Sequence, residues 1–254
     1  MISVCIATYN GEKYLRQQLD SILAQIGDGD EIVISDDNST DGTLALIQSY
    51  ADERIRVLNH DSSKITTTFP LDKPTHNFEN AMMHARGDII FLADQDDVWL
   101  PGKVGKMLWA LENADMAMHD CIIADTELNQ LEPSYFDVVN VTTSAWRNAV
   151  KSTVLGCCMA MRRCVLEAAL PFPKTRIAHD LWIAMVADQK YRFVLVREPL
   201  LMYRKHGRSM TTAGKKSKYG LWFKLRYRLT ILRYLLTLLP RLTARLSARA
   251  SKNS

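Results

Sequence analysis

The sequence predicts an α/β protein: a mainly parallel mixed sheet with helices on both faces, followed by a basic, apolar helical segment. Three observations carry that prediction. Short apolar runs alternate with stretches of helical period as far as Ala93, the pattern of parallel strands joined by crossover helices. Three of those runs end in polar clusters, Thr8-Tyr9-Asn10-Gly11, Asp36-Asp37-Asn38-Ser39 and Asp94-Gln95-Asp96-Asp97. Charge is also segregated: residues up to Tyr203 hold 18 Lys and Arg and all 28 acids, whereas the chain from Arg204 onward holds 14 cations and no acid.

The elements follow in order. Val4-Cys5-Ile6-Ala7 is a strand, and Tyr14, Leu15, Leu19, Ile22, Leu23 and Ile26 trace the stripe of an amphipathic helix. Glu31 to Ser35 is a second strand; Ser39-Thr40-Asp41 then offers N-caps for a helix that turns Leu44, Ile47 and Tyr50 inward. Ile55 to Leu58 is a short third strand. Asn59 to His76 is polar and reads as a long loop, a place for substrate contact. Asn77 to Ala85 gives another helix, and Asp88 to Ala93 is the most apolar strand. Residues 1–215 form one catalytic unit in this reading and 216–254 a basic helical extension.

Several classes drop out. A chain of 254 residues that is 47% hydrophobic can bury a sizeable core, which sets disorder aside. Five Cys without a CxxC pair suggest neither a disulfide framework nor a zinc knuckle, and the N-terminus shows no leader pattern, so a reducing, cytoplasmic setting is expected. No GxGxxG follows a strand, and Gly102-Lys103 lacks the remainder of a P-loop. Cys157 and Cys158 sit in an apolar run and read as buried hydrophobes, as do Trp99 and Trp109. Trp146 and Trp182 stand apart, because aromatics often line sugar sites.

Open α/β sheets bind ligands beyond the carboxyl ends of their strands, which is where the acids fall. Asp, Asn and Gly are also ordinary turn residues. Five acids at two strand ends nevertheless repel one another and call for a cation. Mg²⁺ or Mn²⁺ fits, accepting one or two carboxylates and leaving positions for phosphate oxygens.

Further blocks are Ala85-Arg86-Gly87-Asp88, Gly156-Cys157-Cys158-Met159-Ala160, His179-Asp180-Leu181-Trp182 and Tyr203-Arg204-Lys205-His206-Gly207. Together with the three polar clusters, in this order and spacing, they resemble the family 2 glycosyltransferases of GT-A (Rossmann-like) fold, and especially the bacterial rhamnosyltransferase-like branch. The resemblance covers Ile2 to about Thr212. It implies that Thr8, Tyr9 and Asn10 edge the nucleotide base and that Asp37 accepts the uracil or thymine N3 hydrogen. It makes Asp94-Gln95-Asp96 a DxD motif, with Asp96 the direct metal ligand and Asp94 facing ribose or sugar. It gives Asp180 the role of base toward the acceptor hydroxyl, with His179 its neighbour; Trp182, as an aromatic, is expected to line the sugar. Arg204 and His206 would close over the diphosphate. The reaction implied is inverting transfer of rhamnose or another hexose from a UDP- or dTDP-sugar to a glycan or lipid-linked glycan.

On unperturbed values His179, near 6.5, would be the better base than Asp180, near 3.9, and Asp is also a common N-cap. A haloacid-dehalogenase-like phosphatase shares a DxD after an apolar strand, although at its first strand. A non-catalytic nucleotide-sugar-binding subunit would bind donor without turnover. From Leu221 to Leu239 cations interrupt an apolar segment too short to span a bilayer. This helix packs on the body, on a second subunit as a homo-oligomer contact, or on an anionic membrane surface at the inner face of the cell membrane. Nucleic acid is not expected, because no recognition motif is present.

Overall fold

The computed structural model describes residues 1–66, 69–174, 177–205 and 220–238. Nine strands join in one sheet with the order β3-β2-β1-β4-β8-β6-β9-β5, and β7 pairs with β6 off this path. The first half follows the alternation read from the sequence: β1 (Ile2–Thr8), α1 (Glu12–Leu23), β2 (Glu31–Asp36), α2 (Thr43–Gln48), β3 (Ile55–Asn59), α3 (Asp72–Met83) and β4 (Ile89–Asp94). β1 lies parallel between β2 and β4, and β3 extends the parallel block beyond β2. Every residue of β2 is buried, as expected of a parallel strand covered on both faces. Leu15, Leu19 and Ile22 of α1 are fully buried.

The second half runs through β5 (Val98–Trp99), α4 (Lys103–Glu112), β6 (Met116–Ala124), β7 (Gln130–Glu132), α5 (Tyr135–Val139), α6 (Ala145–Val150), β8 (Met159–Arg162), α7 (Arg163–Ala169), α8 (His179–Lys190), β9 (Phe193–Arg204) and α9 (Leu221–Leu238). These strands supply the antiparallel pairings, β8 against β4 and β6, β5 against β9 and β7 against β6. β6 and β9 run parallel. The pairing Phe91↔Ala160 has a consequence for the site. Because β8 opposes β4, the segment entering β8 arrives at the edge where β4 ends, which brings Gly156 and Cys157 to Asp94.

Two expectations change. α3 begins at Asp72 rather than Asn77, since Pro74 falls in the first turn, where its missing N–H costs no bond. The long loop is correspondingly shorter. Trp109 is not core but 74% exposed, whereas Trp99 is buried. The acid-free segment does not bury all its apolar residues: Trp222, Leu225, Leu229 and Leu232 are exposed, while Ile231, Leu235 and Leu238 are buried. No helix among the described residues is long and apolar enough to cross a membrane.

Candidate active site

The parallel register aligns the carboxyl ends of β1, β2 and β4, pairing Thr8 with Asp36 and Ala7 with Asp94. The polar clusters therefore meet at one edge. Backbone and side-chain bonds then fix the loops between them. The Gln95 amide spans the Tyr9 backbone, accepting from its N–H at 3.0 Å and donating to its carbonyl at 3.1 Å. Asn10, held at φ 49°, donates its N–H to Ser39 Oγ at 2.9 Å and accepts from Thr40 N–H at 2.8 Å. Gly11 leaves room for that amide: a Cβ there would lie 2.4 Å from Gln95 Oε1 and displace it from Tyr9. Tyr9 is exposed at the rim and Thr8 is buried.

The two acids after β2 separate in role. Asp36 is buried and accepts from Thr8 Oγ1 at 2.7 Å and from Ser39 N–H at 2.8 Å, so it holds the loop. Asp37 is half-buried and accepts from the Ser62 N–H at 2.8 Å and the Ser62 hydroxyl at 2.6 Å. That arrangement ties the β3–α3 loop to the mouth and leaves lone pairs on Asp37 for a further donor.

The Asp94–Asp97 turn is the electrostatic centre. Burial first, then the charges of Asp96 and Asp180, raise Asp94 to about 7. Burial with Asp96 and Asp94 pushes Asp97 well above the usual carboxylate range. Asp94, Asp97 and the Cys157 sulfur lie within 4.8 Å of one another, a trio that does not include Asp96. Oδ2 of Asp97 is buried with no hydrogen-bond partner among the described residues, while Oδ1 accepts from Arg204 N–H at 2.9 Å. An orphaned carboxylate oxygen among mutually repelling acids fits a divalent cation. Asp97 is fully buried whereas Asp94 and Asp96 are only partly so. Of the three carboxylates, those of Asp94 and Asp96 are therefore the ones open toward a ligand.

Lys103 and Arg204 support this turn from beneath. Lys103 is fully buried, donates to the Cys157 carbonyl at 2.9 Å and lies 4.2 Å over the Trp99 ring; burial lowers it to about 8. Arg204, read from the sequence as a diphosphate clamp, is buried at the end of β9. Its guanidinium donates to the Asp96 carbonyl at 2.7 Å, to the Thr126 carbonyl and to Gln17 Oε1 at 2.6 Å, and stacks over Tyr14. Those contacts make it a positioning residue for the acidic turn. His206 lies outside the described residues.

His179 and Asp180 open α8 across from the turn. The N-cap residue is Ala178, without a side-chain cap, so Asp180 is not the cap but a first-turn residue whose Oδ1 accepts from Leu181 N–H at 2.6 Å. Burial outweighs that bond and its other backbone donors and raises Asp180 to about 6. Burial has the opposite sign for an imidazole and lowers His179 to about 3. The environment therefore reverses the order expected from unperturbed values. Asp180 becomes the stronger base and His179 stays neutral, its ring stacked 4.1 Å from Phe78. Trp182 is buried, its indole N–H donating to the Ala169 carbonyl at 2.8 Å.

Gly156 fits against this pair: a Cβ there would stand 2.8 Å from His179 Nε2 and 3.4 Å from Asp180 Cβ. Since the Phe78 stack holds the imidazole, Gly156→Ala should displace Asp180. The expected outcome is transfer reduced about 10- to 100-fold with donor affinity nearly unchanged, read as a fall in kcat without a rise in donor KM.

Sequence reasoning named Gly156 and Lys103 without giving either its place at the site: Gly156 carried a signal, a glycine opening an apolar run, whereas nothing in the sequence marks a lysine as buried under Trp99. The Cys157 and Cys158 thiols are held well above their usual range, Cys157 by the Cys158 thiol and burial, Cys158 chiefly by burial. Both stay protonated and inert as nucleophiles.

Solved structures share this architecture. The Staphylococcus aureus TarS fragment 1–349 in complex with UDP-GlcNAc superposes with a TM-score of 0.66 at 18% identity, over 95% of this chain and 71% of that one. The Pyrobaculum calidifontis mannosyltransferase PcManGT in complex with GDP-Man and Mn²⁺ gives 0.62 at 22% identity, over 100% and 76%. Among sequences, an uncharacterized glycosyltransferase, alr2836 of Nostoc, is 30% identical over 81% of this chain and 65% of its own length. The dTDP-rhamnosyl transferase RfbG of Shigella flexneri is 25% identical over 86% and 81%. The phosphatase alternative loses its ground, since the acidic turn follows β4 and not the first strand. The model of glycosyl transferase family 2 matches residues 3–170, from β1 through the acidic turn to α7, and the chain belongs to that family.

Proposed function

We propose that this protein is an inverting, metal-dependent glycosyltransferase. It moves rhamnose or another hexose from a UDP- or dTDP-sugar to a hydroxyl of a glycan or lipid-linked glycan, in bacterial surface-polysaccharide synthesis at the cytoplasmic face of the membrane. Residues 1–215 are the catalytic body and 216–254 the extension. The observation that carries this reading is the opposition of a crowded acidic turn, Asp94 to Asp97, to a single carboxyl, Asp180, made basic by burial. Support also comes from relatives and a structural neighbour named for glycosyl transfer and from a structural neighbour in complex with UDP-GlcNAc.

Asp94 and Asp96 would hold Mg²⁺ or Mn²⁺. The ion supplies charge neutralisation for the departing nucleoside diphosphate. Thr8, Tyr9 and Asn10 edge the base, and Asp37, already oriented by Ser62, accepts from it. Asp180 takes the acceptor proton on its carboxylate while His179, neutral, walls the site. Trp182 supports α8 from behind. Because Asp180 acts unprotonated, with Mn²⁺ saturating so that its ligands carry no proton, kcat/KM should rise about tenfold per pH unit up to about pH 6 and level off above it. A rate already flat from pH 5 upward would exclude Asp180 as the base.

Metal should also be visible in stability. Asp94, Asp97 and Asp180 keep protons in the folded state that the unfolded chain releases near pH 4. The metal-free protein therefore loses stability as pH rises from about 4 until these groups ionise in the fold, at about 6 for Asp180 and about 7 for Asp94. Mn²⁺ should raise Tm clearly at pH 8 and little at pH 5; equal shifts at both would argue against ion binding by these carboxylates. A thermal-shift screen of nucleoside diphosphate sugars with Mn²⁺ tests the donor, since a ligand at 100 times its Kd adds about 2.7 kcal/mol.

A further inference from the structure

α9 carries two apolar faces. Phe223 and Tyr227 stack on Phe69 at centroid distances of 5.8 and 5.2 Å, Tyr234 meets Trp182 edge-on at 6.0 Å, and Ile231, Leu235 and Leu238 are buried. That inner face fastens the helix to the body. Trp222, Leu225, Leu229, Leu232 and Leu236 remain exposed, Trp222 at 83% and Leu229 at 58%. At 3.6 residues per turn these five fall within an arc of about 80°, centred about 160° from the inner face. Packing therefore does not account for them.

The borders of the outer stripe are cationic. By the same angular arithmetic Arg226 and Arg233 flank one side and Arg228 the other, and no acid occurs anywhere after Tyr203. α6 packs against α9 and leaves Trp146 and Val150 exposed four residues apart, with Arg147 and Lys151 exposed beside them. A narrow stripe of Leu and Trp between arginines suits a bilayer interface: leucines enter the acyl boundary, tryptophan sits at headgroup level, and the arginines reach anionic phosphates. A second copy meeting it through the same face would bring the same cations and gain no complementary charge.

We propose that the outer face of α9, Trp222 to Leu236 with its bordering arginines, docks the protein in the plane of an anionic lipid surface. The site is thereby presented to acceptors anchored in that surface. The inner face of α9 packs against α8, where Tyr234 meets Trp182, two residues beyond Asp180. Docking therefore holds Asp180 about one helix diameter, roughly 10 Å, above the headgroups. That height suits the first sugars on a membrane-anchored diphosphate better than the end of a long glycan. The acceptor part of this inference rests on the glycosyltransferase reading.

The test is cosedimentation of the full chain with phosphatidylcholine vesicles with and without phosphatidylglycerol. The wild type should bind the anionic vesicles, more weakly as salt rises. The double variant Leu225→Ser/Leu229→Ser, altered only at exposed positions, should keep its Tm and lose binding by about tenfold per leucine. Leu131→Ser, an exposed leucine on β7, should bind as wild type. Wild-type indifference to anionic vesicles, or undiminished binding by the double variant, would overturn the proposal. So would a wild-type dimer in sedimentation velocity that the same substitutions disperse, which would assign the stripe to a second copy. Transfer to a water-soluble acceptor, assayed in parallel, separates the claims: its persistence without vesicle binding removes only the docking surface, and its absence despite vesicle binding removes only the glycosyltransferase reading.

Discussion

Asp180→Asn will reduce sugar transfer by roughly 10²- to 10⁴-fold, the usual worth of general-base catalysis, while donor affinity stays near wild type. The substitution keeps the size of the side chain and an oxygen to accept the Leu181 N–H, so α8 should not loosen. It removes the one group in the pair able to take a proton near neutrality, because His179 is lowered to about 3 and stacked on Phe78. Two consequences mark chemistry rather than packing. The residual activity should lose its acid limb near pH 6, and Tm above that pH should hold or rise, since a buried carboxylate raised to about 6 is replaced by a neutral amide. Near-normal turnover in this variant would leave Asp180 a structural first-turn residue.

Asp96→Ala should abolish metal-dependent donor binding in a protein that remains folded. Asp96 is only partly buried, and its charge contributes to the raised values of both Asp94 and Asp97. Its backbone carbonyl, which receives the Arg204 guanidinium, survives the substitution, so the turn keeps its anchor. Removing one of three crowded carboxylates also relieves repulsion. The metal-free variant should therefore be as stable as the metal-free wild type at pH 8, or more so, while the Tm increment from Mn²⁺ disappears. Titration calorimetry of donor with and without Mn²⁺ reads the loss directly. Unchanged Mn²⁺-dependent affinity would move the ion to Asp94, Asp97 and Cys157, the trio within 4.8 Å.

The parallel half of the fold was legible because its signals are local. β2 carries the apolar run Ile32-Val33-Ile34, α1 shows a clean stripe, and the polar clusters after β1, β2 and β4 mark the strand ends themselves. β6 and β8 were not legible as strands. Their antiparallel pairing sets Met116 against Met161 and depends on partners 45 residues away, while Met and Ala carry little strand preference. That pairing brings Cys157 and Gly156 to the acidic turn, and no local pattern announces it. The site divides similarly. The types and spacing of Asp94, Asp96 and Asp180 could be read, but burial decides which of His179 and Asp180 is the base, and burial belongs to the folded chain. Arg204 shows the opposite error. A cation near an acidic motif reads as a ligand clamp until its guanidinium is found bonded to Asp96, Thr126 and Gln17. In α9 the sequence showed cations on two sides of an apolar helix; only exposure separates the face that holds the body from the face left for a membrane.

The most direct test of the central claim is release of nucleoside diphosphate from a panel of UDP- and dTDP-sugars by the full chain, with and without Mn²⁺ and with and without a lipid-linked acceptor. The account predicts release from at least one donor that needs both the metal and the acceptor and that falls in Asp180→Asn. Donor binding with no acceptor-dependent release from any sugar, or release untouched by loss of Asp180, would contradict it.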